Sequence, residues 1–230
     1  MGFAVIVFPG SNCDHDCFHA ICNLLEKPVR YIWHGDTSIE KNEIVIIPGG
    51  FSYGDYLRAG AIAKTSPIMK SIKKHANEGR PVIGICNGFQ ILAESDLLPG
   101  TLIRNSSLKF ICKNIWIRCE SSHSIFTNKM KNKEVLKMPI AHGEGNFFCK
   151  KNILEDLEYN QQIIFRYSDS SGSIVKSANP NGSLKNIAGI SNKEGNVLGL
   201  MPHPERACES ILGGKDGLKI FSSALSYSTS

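Results

Sequence analysis

No stretch of the sequence approaches the roughly 18 consecutive apolar residues that a membrane-spanning helix needs. The first apolar run, Phe3–Phe8, is short, has no charged leader and stops at Pro9-Gly10. It reads as a buried strand, so a secretory signal is not expected. Position 6 is Ile, where an N-myristoylation signal after Gly2 demands Ser or Thr. The 230 residues contain no internal repeat, low-complexity tract or linker. One domain spanning 1–230 is therefore expected, long enough to bury a full core. A G-x-x-x-x-G-K-[ST] phosphate loop is missing too, so this chain is expected to bind no nucleotide cofactor itself. The net charge of +5 does not point to nucleic acid, because the lysine clusters Lys70–Lys74 and Lys129–Lys137 lack interleaved aromatics. They read as solvated surface. With no leader and no membrane span, a cytoplasmic protein is expected, its eight cysteines reduced.

Short apolar runs closed by turn residues are what the chain does have. Phe3–Val7 precedes Pro9-Gly10-Ser11-Asn12, Glu43–Ile47 precedes Pro48-Gly49-Gly50, and Pro81–Ile85 runs into Cys86. Val- and Ile-rich runs without alternation suit strands buried on both faces of a parallel sheet. Helical segments are expected between them, roughly over Asp14–Leu25, Ile62–Asn77 and Gly88–Ser95. That alternation predicts an α/β fold with a doubly wound, mostly parallel sheet. The middle third differs. Leu108–Arg118 alternates loosely, and Ile163–Arg166 and Ile187–Ile190 are short and apolar, which predicts additional antiparallel strands joined by turns such as Asn179-Pro180-Asn181-Gly182.

Gly84-Ile85-Cys86-Asn87-Gly88 fits G-x-S-x-G with sulfur in place of oxygen. The glycines allow a strand to turn abruptly into a helix and leave the central side chain exposed, the geometry of a nucleophile elbow. A thiol at a helix N-terminus also lies in the positive end of the dipole, which favours thiolate. Taken alone, Cys86 would read equally well as a buried structural cysteine at a strand end.

Partners for it stand near the other end of the chain, in Met201-Pro202-His203-Pro204-Glu205-Arg206. A residue before proline is driven to extended geometry. Residues i and i+2 of extended chain share one side, roughly 6.6 Å apart. Glu205 can therefore orient the His203 imidazole, and Pro204 suits the first position of a short helix. Backbone N–H groups of Asn87 and of the Gly49-Gly50 turn are the natural donors to an oxyanion.

These residues together resemble the class I, triad-type glutamine amidotransferases. The branch whose glutaminase subunits serve phosphoribosylformylglycinamidine synthesis is similar in "FPGSNCDHD", "GGFSYGDYLRAGAIA", "GICNGFQIL", "SLKFICKN", "IAHGEGNF", "NPNGSLKNIAGI" and "VLGLMPHPERA". The resemblance implies a flavodoxin-like fold and a Cys86–His203–Glu205 triad that hydrolyses glutamine. It also implies an oxyanion hole from the Gly50 and Asn87 amides, Gln90, His142 and Gly143 beside the substrate, and the whole His142-Gly143-Glu144-Gly145 turn near the pocket or the partner interface. Ammonia would pass to a separate ATP-dependent synthetase acting on formylglycinamide ribonucleotide, with a small third subunit. ATP and Mg would belong to that partner, and no synthetase domain is expected on this chain.

Other readings are weaker. Cys13, His15, Cys17, His19 and Cys22 could suggest a metal site, but on a helix they face different ways, whereas zinc needs converging ligands. No metal is expected, and Asn12 and Asp14 are expected to cap the helix instead. Cys112, Cys119, Cys149 and Cys208 read as small apolar or surface residues. A cysteine hydrolase or chaperone-like relative often has histidine directly after the nucleophile, where this chain has Asn87. A glutaminase for another synthetase fits less well with "GGFSYGDYLRAGAIA" and "AHGEGNF". A non-catalytic subunit would be marked by loss of a triad residue, and all three are present.

Overall fold

The computed structural model describes residues 1–122 and 124–226; positions 123 and 227–230 of the expected 1–230 domain lie outside the described residues. Eleven strands are described: β1 Gly2–Val7, β2 Val29–Trp33, β3 Glu43–Ile47, β4 Val82–Ile85, β5 Thr101–Ile103, β6 Ile111–Cys119, β7 Val135–His142, β8 Asn146–Phe148, β9 Ile163–Ser168, β10 Ile187–Ser191 and β11 Val197–Leu200. Nine of them form one sheet in the order β2-β1-β3-β4-β11-β10-β9-β6-β7, and β5 pairs with β8 separately. The run from β2 to β11 is parallel. From β11 through β7 every pairing is antiparallel. The mixed sheet foreseen from the two kinds of apolar run is present.

Sequence pattern explains each half. Every residue of β3 and β4 is buried, as in a strand covered on both faces. In β7 burial alternates strictly, one face in and one out. Pro139 is tolerated there because β7 is an edge strand, and its carbonyl is free to accept the His203 N–H at 2.9 Å.

Among the described residues, five α-helices accompany the sheet: α1 Asp14–His19, α2 Pro67–Asn77, α3 Asn87–Glu94, α4 Lys151–Tyr159 and α5 Leu218–Ala224. α2 buries Ile68, Met69, Ile72, His75 and Ala76, while Lys70 and Lys74 of the first lysine cluster face outward. α3 is buried from Asn87 to Ala93, because it lies between the sheet and β5.

Several expected boundaries need correction. The helix foreseen over Ile62–Asn77 is a 3₁₀ turn, Ala63–Thr65, followed by α2. Ser66 precedes Pro67 and is extended (φ −63°, ψ 145°), as the proline requires. The first helix continues beyond His19 as a π turn, Ala20–Leu24. The strand expected from Leu108 begins at Ile111, since Leu108 has φ 58°. Asn179–Gly182 does not close a tight hairpin; residues 169–186 form a long connection between β9 and β10 containing two short 3₁₀ turns.

Candidate active site

The C-terminal ends of the central parallel strands carry the chemistry-bearing residues, the usual crevice of a doubly wound sheet. β1 leads to Asn12 and Cys13, β3 to Gly49-Gly50, β4 to Cys86, and β11 to His203. These residues, apart from Gly49, line one cavity of about 370 Å³ together with Phe51, Asp55, Gln90, Phe110, Ala141, His142, Gly143, Glu144 and Arg206. A larger cavity of about 610 Å³ lies elsewhere, beside Glu120, Glu158 and Arg166, and among the described residues it brings together no cysteine–histidine pair.

Cys86 occupies the turn between β4 and α3 with φ 50° and ψ −104°, a strained backbone for a residue with a Cβ. Its N–H donates to Leu200 O at 2.8 Å, and its carbonyl accepts Gln90 N–H at 3.1 Å, so the elbow is pinned from both sides. The flanking glycines are sterically required. A Cβ on Gly88 would lie 2.0 Å from Ile47 O, and one on Gly84 would lie 2.7 Å from the backbone of Gly88.

His203 is 1% exposed and Glu205 is 2% exposed. Nδ1 of the imidazole lies 2.6 Å from Glu205 Oε1. Pro204 starts the 3₁₀ turn Pro204–Arg206, and His203 just before it is non-helical (φ −102°, ψ 89°), which brings positions i and i+2 together. Nε2 is buried and, among the described residues, has no partner in hydrogen-bonding geometry, although the Cys86 and Cys13 thiols stand beside the ring. Burial opposes charge on the ring, but Glu205, then Cys86 and Cys13, outweigh it, and His203 titrates well above its ordinary range. The structure thus offers a sulfur, an imidazole that holds a proton beside it, and a buried carboxylate behind the imidazole.

The remaining candidates are placed as follows. Gly50 (φ 139°) lines the cavity and bridges to Ser11. Asn87 opens α3, where the first backbone N–H groups have no helical acceptor. Its side chain turns inward, accepting Ser52 N–H at 3.1 Å and donating to Gln90 Oε1 at 2.9 Å and Asp55 Oδ1 at 3.2 Å. Gln90 lines the cavity with both ends of its amide engaged, since Nε2 donates to Glu144 O at 2.7 Å. His142 is buried; its ring nitrogens lie 3.1 Å from Asn105 Oδ1 and 3.5 Å from Asn181 Nδ2. Burial, then the charge on His203, lowers it to about 4, so the ring is neutral. Gly143 contributes backbone to the wall.

Sequence reasoning did not place Cys13 in this cavity. Read as part of a helix face, it is instead the N-cap of α1, and neither Asn12 nor Asp14 caps the helix with its side chain. The reason is local: Asn12 Oδ1 accepts the Cys13 thiol at 3.2 Å. Asp14 is already the first helical residue. Potential ligand atoms of Cys13, His203 and Glu205 lie within 4.8 Å of one another. Yet Arg206 Nη2 donates to Cys13 Sγ at 3.1 Å, and Glu205 is tied to His203, so the trio fits a hydrogen-bonded wall better than a cation site. His15 and His19 diverge from it, toward Tyr31 and toward Glu209 and Asn23. Glu144 lines the cavity, as expected of the His142–Gly145 turn. Arg206, Asp55 and Phe110 were also missed; only the folding of distant loops onto one strand end brings them together.

Comparison with known proteins leads in the same direction. Residues 2–227 match the model of the CobB/CobQ-like glutamine amidotransferase domain. A chain in the structure of PurLQS from Thermotoga maritima is 42% identical, with 99% of each chain covered and a TM-score of 0.86. A component of a putative GMP synthase from Thermoplasma acidophilum (12% identity, 98% and 92% covered, TM-score 0.58) shares the fold. So does a glutamine amidotransferase from Thermotoga maritima (18% identity, 90% and 78% covered, TM-score 0.54).

Proposed function

We infer the function from one premise: the chain belongs to the family of CobB/CobQ-like glutamine amidotransferases. It is the glutaminase component of a purine-biosynthetic amidotransferase, and residues 1–230 act as one domain. The observation that carries this reading is the buried His203, bound at Nδ1 to Glu205 and unpartnered at Nε2, in one cavity with the elbow cysteine Cys86.

Cys86 sulfur attacks the side-chain carboxamide carbon of glutamine. The negative charge that develops on the amide oxygen is met by the backbone N–H groups of Gly50 and Asn87, donors worth on the order of 10²–10³ in rate each. His203 delivers its proton to the amide nitrogen, and ammonia departs as the C–N bond breaks, leaving a glutamyl thioester on Cys86. Water, deprotonated by His203, then cleaves the thioester to glutamate. Glu205 holds the imidazole in orientation and stabilises its charge throughout. Gln90, His142 and Gly143 shape the substrate wall, the first two by fixing the 142–145 segment through their hydrogen bonds.

The ammonia serves a separate ATP-dependent synthetase that converts formylglycinamide ribonucleotide to formylglycinamidine ribonucleotide. ATP and Mg reside on that partner, and a small third subunit completes the assembly. The support is the 42% likeness to a chain of the PurLQS structure over its whole length. A cytoplasmic location goes with that role; among the described residues no helix is long and apolar enough to cross a membrane.

Mass-mapped labelling with an electrophilic glutamine analogue tests the site. Cys86 is expected to be labelled alone among the eight cysteines, and glutamine to suppress the labelling. Labelling elsewhere, or none after addition of the synthetase, defeats the reading. Cys86→Ala in the reconstituted complex should abolish glutamine-dependent synthesis and spare synthesis from added ammonium.

A further inference from the structure

Glutamine brings more than a carboxamide to this cavity. Beyond the reacting carbon and its two methylene groups it carries an α-ammonium and an α-carboxylate, and the cavity must accommodate both charges. Besides the triad, the cavity wall holds three ionisable groups of fixed sign: Asp55, Glu144 and Arg206. Arg206 is already engaged by Asp16, at 2.9 Å, and by Cys13. The two carboxylates have no comparable neutralisation. Arg58, close to Asp55 in the chain, is paired with Glu94 instead. Arg104 approaches Glu144 only at 3.9 Å and is largely exposed. Among the described residues no cation forms an ion pair with Asp55.

We propose that the Asp55 carboxylate, with Glu144 behind it, receives the α-ammonium group of glutamine and so selects an α-amino acid amide over other primary amides. This deepens the reading of the site as a glutaminase and rests on it.

Three observations support the assignment. Asp55 is joined to the elbow by a short chain of hydrogen bonds: Asn87 Nδ2 donates to Asp55 Oδ1 and to Gln90 Oε1, and Gln90 Nε2 donates to the Glu144 carbonyl. The acidic end of the cavity is thereby held in register with the nucleophile.

The segment carrying Asp55 is strained and braced. Tyr53, Gly54, Asp55 and Leu57 all have positive φ, of 54°, 69°, 54° and 69°. Non-glycine residues adopt that conformation at a cost, and such strain gathers where a side chain must be aimed. Tyr53 anchors the turn, its N–H on Pro9 O at 2.6 Å and its hydroxyl 2.9 Å from both His34 Nδ1 and Ser66 Oγ.

Finally, the buried, unpartnered His203 Nε2 lines the same cavity and marks where the other end of the ligand sits. Burial and then the Glu144 charge, against the Asn87 hydrogen bond, raise Asp55 to about 6. A carboxylate so unsatisfied gains strongly from an incoming ammonium.

The test compares L-glutamine with glutaramate, the same amide lacking the α-amino group, by ammonia release from the synthetase complex. Wild type should prefer glutamine. Asp55→Asn preserves shape and the contact with Asn87, and should lower kcat/KM for glutamine at least about 30-fold more than for glutaramate, mainly through KM, as expected for a half-buried charge pair losing one partner. Glu144→Gln should act in the same direction more weakly. In wild type, KM for glutamine should rise as pH falls through about 6, where Asp55 protonates, and this rise should vanish in Asp55→Asn. Equal losses for both amides in Asp55→Asn, or an unchanged preference for glutamine in both variants, would overturn the inference. Failure of wild type to release ammonia from glutamine would instead overturn the glutaminase reading itself.

Discussion

His203 and Glu205 lie two residues apart, and their side chains meet at 2.6 Å while both are almost wholly buried. The contact arises from Pro204, which fixes the start of a 3₁₀ turn while the chain before it stays non-helical. His203 N–H on Pro139 O and Cys208 Sγ on Pro204 O, at 2.9 and 3.0 Å, hold that turn against its surroundings. A buried imidazole would otherwise be neutral; the carboxylate keeps the proton on it.

Replacing the charge while keeping the shape isolates this effect. In Glu205→Gln the amide oxygen can still accept from Nδ1–H, but burial then dominates and the His203 pKa falls. Ammonia release should drop by about 10²–10⁴-fold in kcat, the range for loss of acid–base function. The alkaline limb of the kcat/KM profile should move to lower pH. An unmoved limb would show that Glu205 acts through packing alone.

Gly49 faces the same imidazole. A Cβ there would lie 2.8 Å from His203 Cε1 and 3.0 Å from Cys13 Sγ, and these neighbours are held by hydrogen bonds to Glu205 and to Asn12 and Arg206. Gly49→Ala should cost about 1–3 kcal/mol in stability. The displaced ring should lower kcat by about 10²-fold. Gly143→Ala is the control for stability, since its Cβ would touch only Phe110 Cδ2 at an ordinary 3.8 Å. Equal urea midpoints for the two variants would contradict the packing described here.

The three central strands, the elbow and the His-Pro-Glu turn were legible because each is written locally: unbroken Val/Ile runs, glycines flanking a single cysteine, prolines flanking a histidine. β2 was not, because Val29–Trp33 is an edge strand with mixed exposure and a charged residue, Arg30, near its start. β7 hid inside a stretch that drew notice for its histidine and glycines. Cys13 and Asp55 escaped for a different reason: no local pattern signals that a helix N-cap and a left-handed turn end beside a cysteine far along the chain. The pairing of Ser11 with Gly50 and the Asn87–Asp55 hydrogen bond decide that, and both are long-range.

Strain at the nucleophile is separable from its chemistry. With φ at 50°, position 86 disfavours any residue bearing a Cβ. Cys86→Ala and Cys86→Gly both lack the sulfur, yet only glycine relieves the backbone. The glycine variant should be the more stable of the two by about 1 kcal/mol, after allowance for the greater freedom of glycine in the unfolded chain. Urea unfolding of both inactive variants measures it, and an alanine variant as stable as the glycine one would mean that the elbow is not strained.

Three buried histidines shape the pH dependence of folding in opposite directions. His75 donates from Nε2 to Glu43 O at 3.0 Å, leaves Nδ1 unpartnered, and is lowered to about 4 by burial and then by the Arg80 charge. His142 is lowered to about 4 as well. The unfolded chain binds protons at both positions below about 6.5, while the folded chain does not until about 4. Stability therefore falls as pH drops across that window, by on the order of 3 kcal/mol for each group. His203 is raised, so its contribution is fully present below about 6.5 and is lost as pH climbs through its folded value. Half-buried Asp55, raised to about 6, opposes the acid loss only in part. Stability should accordingly peak at about pH 6.5. Urea midpoints from about pH 4.5 to 8.5 should show the peak, with His75→Gln and His142→Asn each flattening the acid side and His203→Gln the alkaline side. A variant that lowers the whole curve without changing its slope would show that the missing ring mattered for packing and not for its proton.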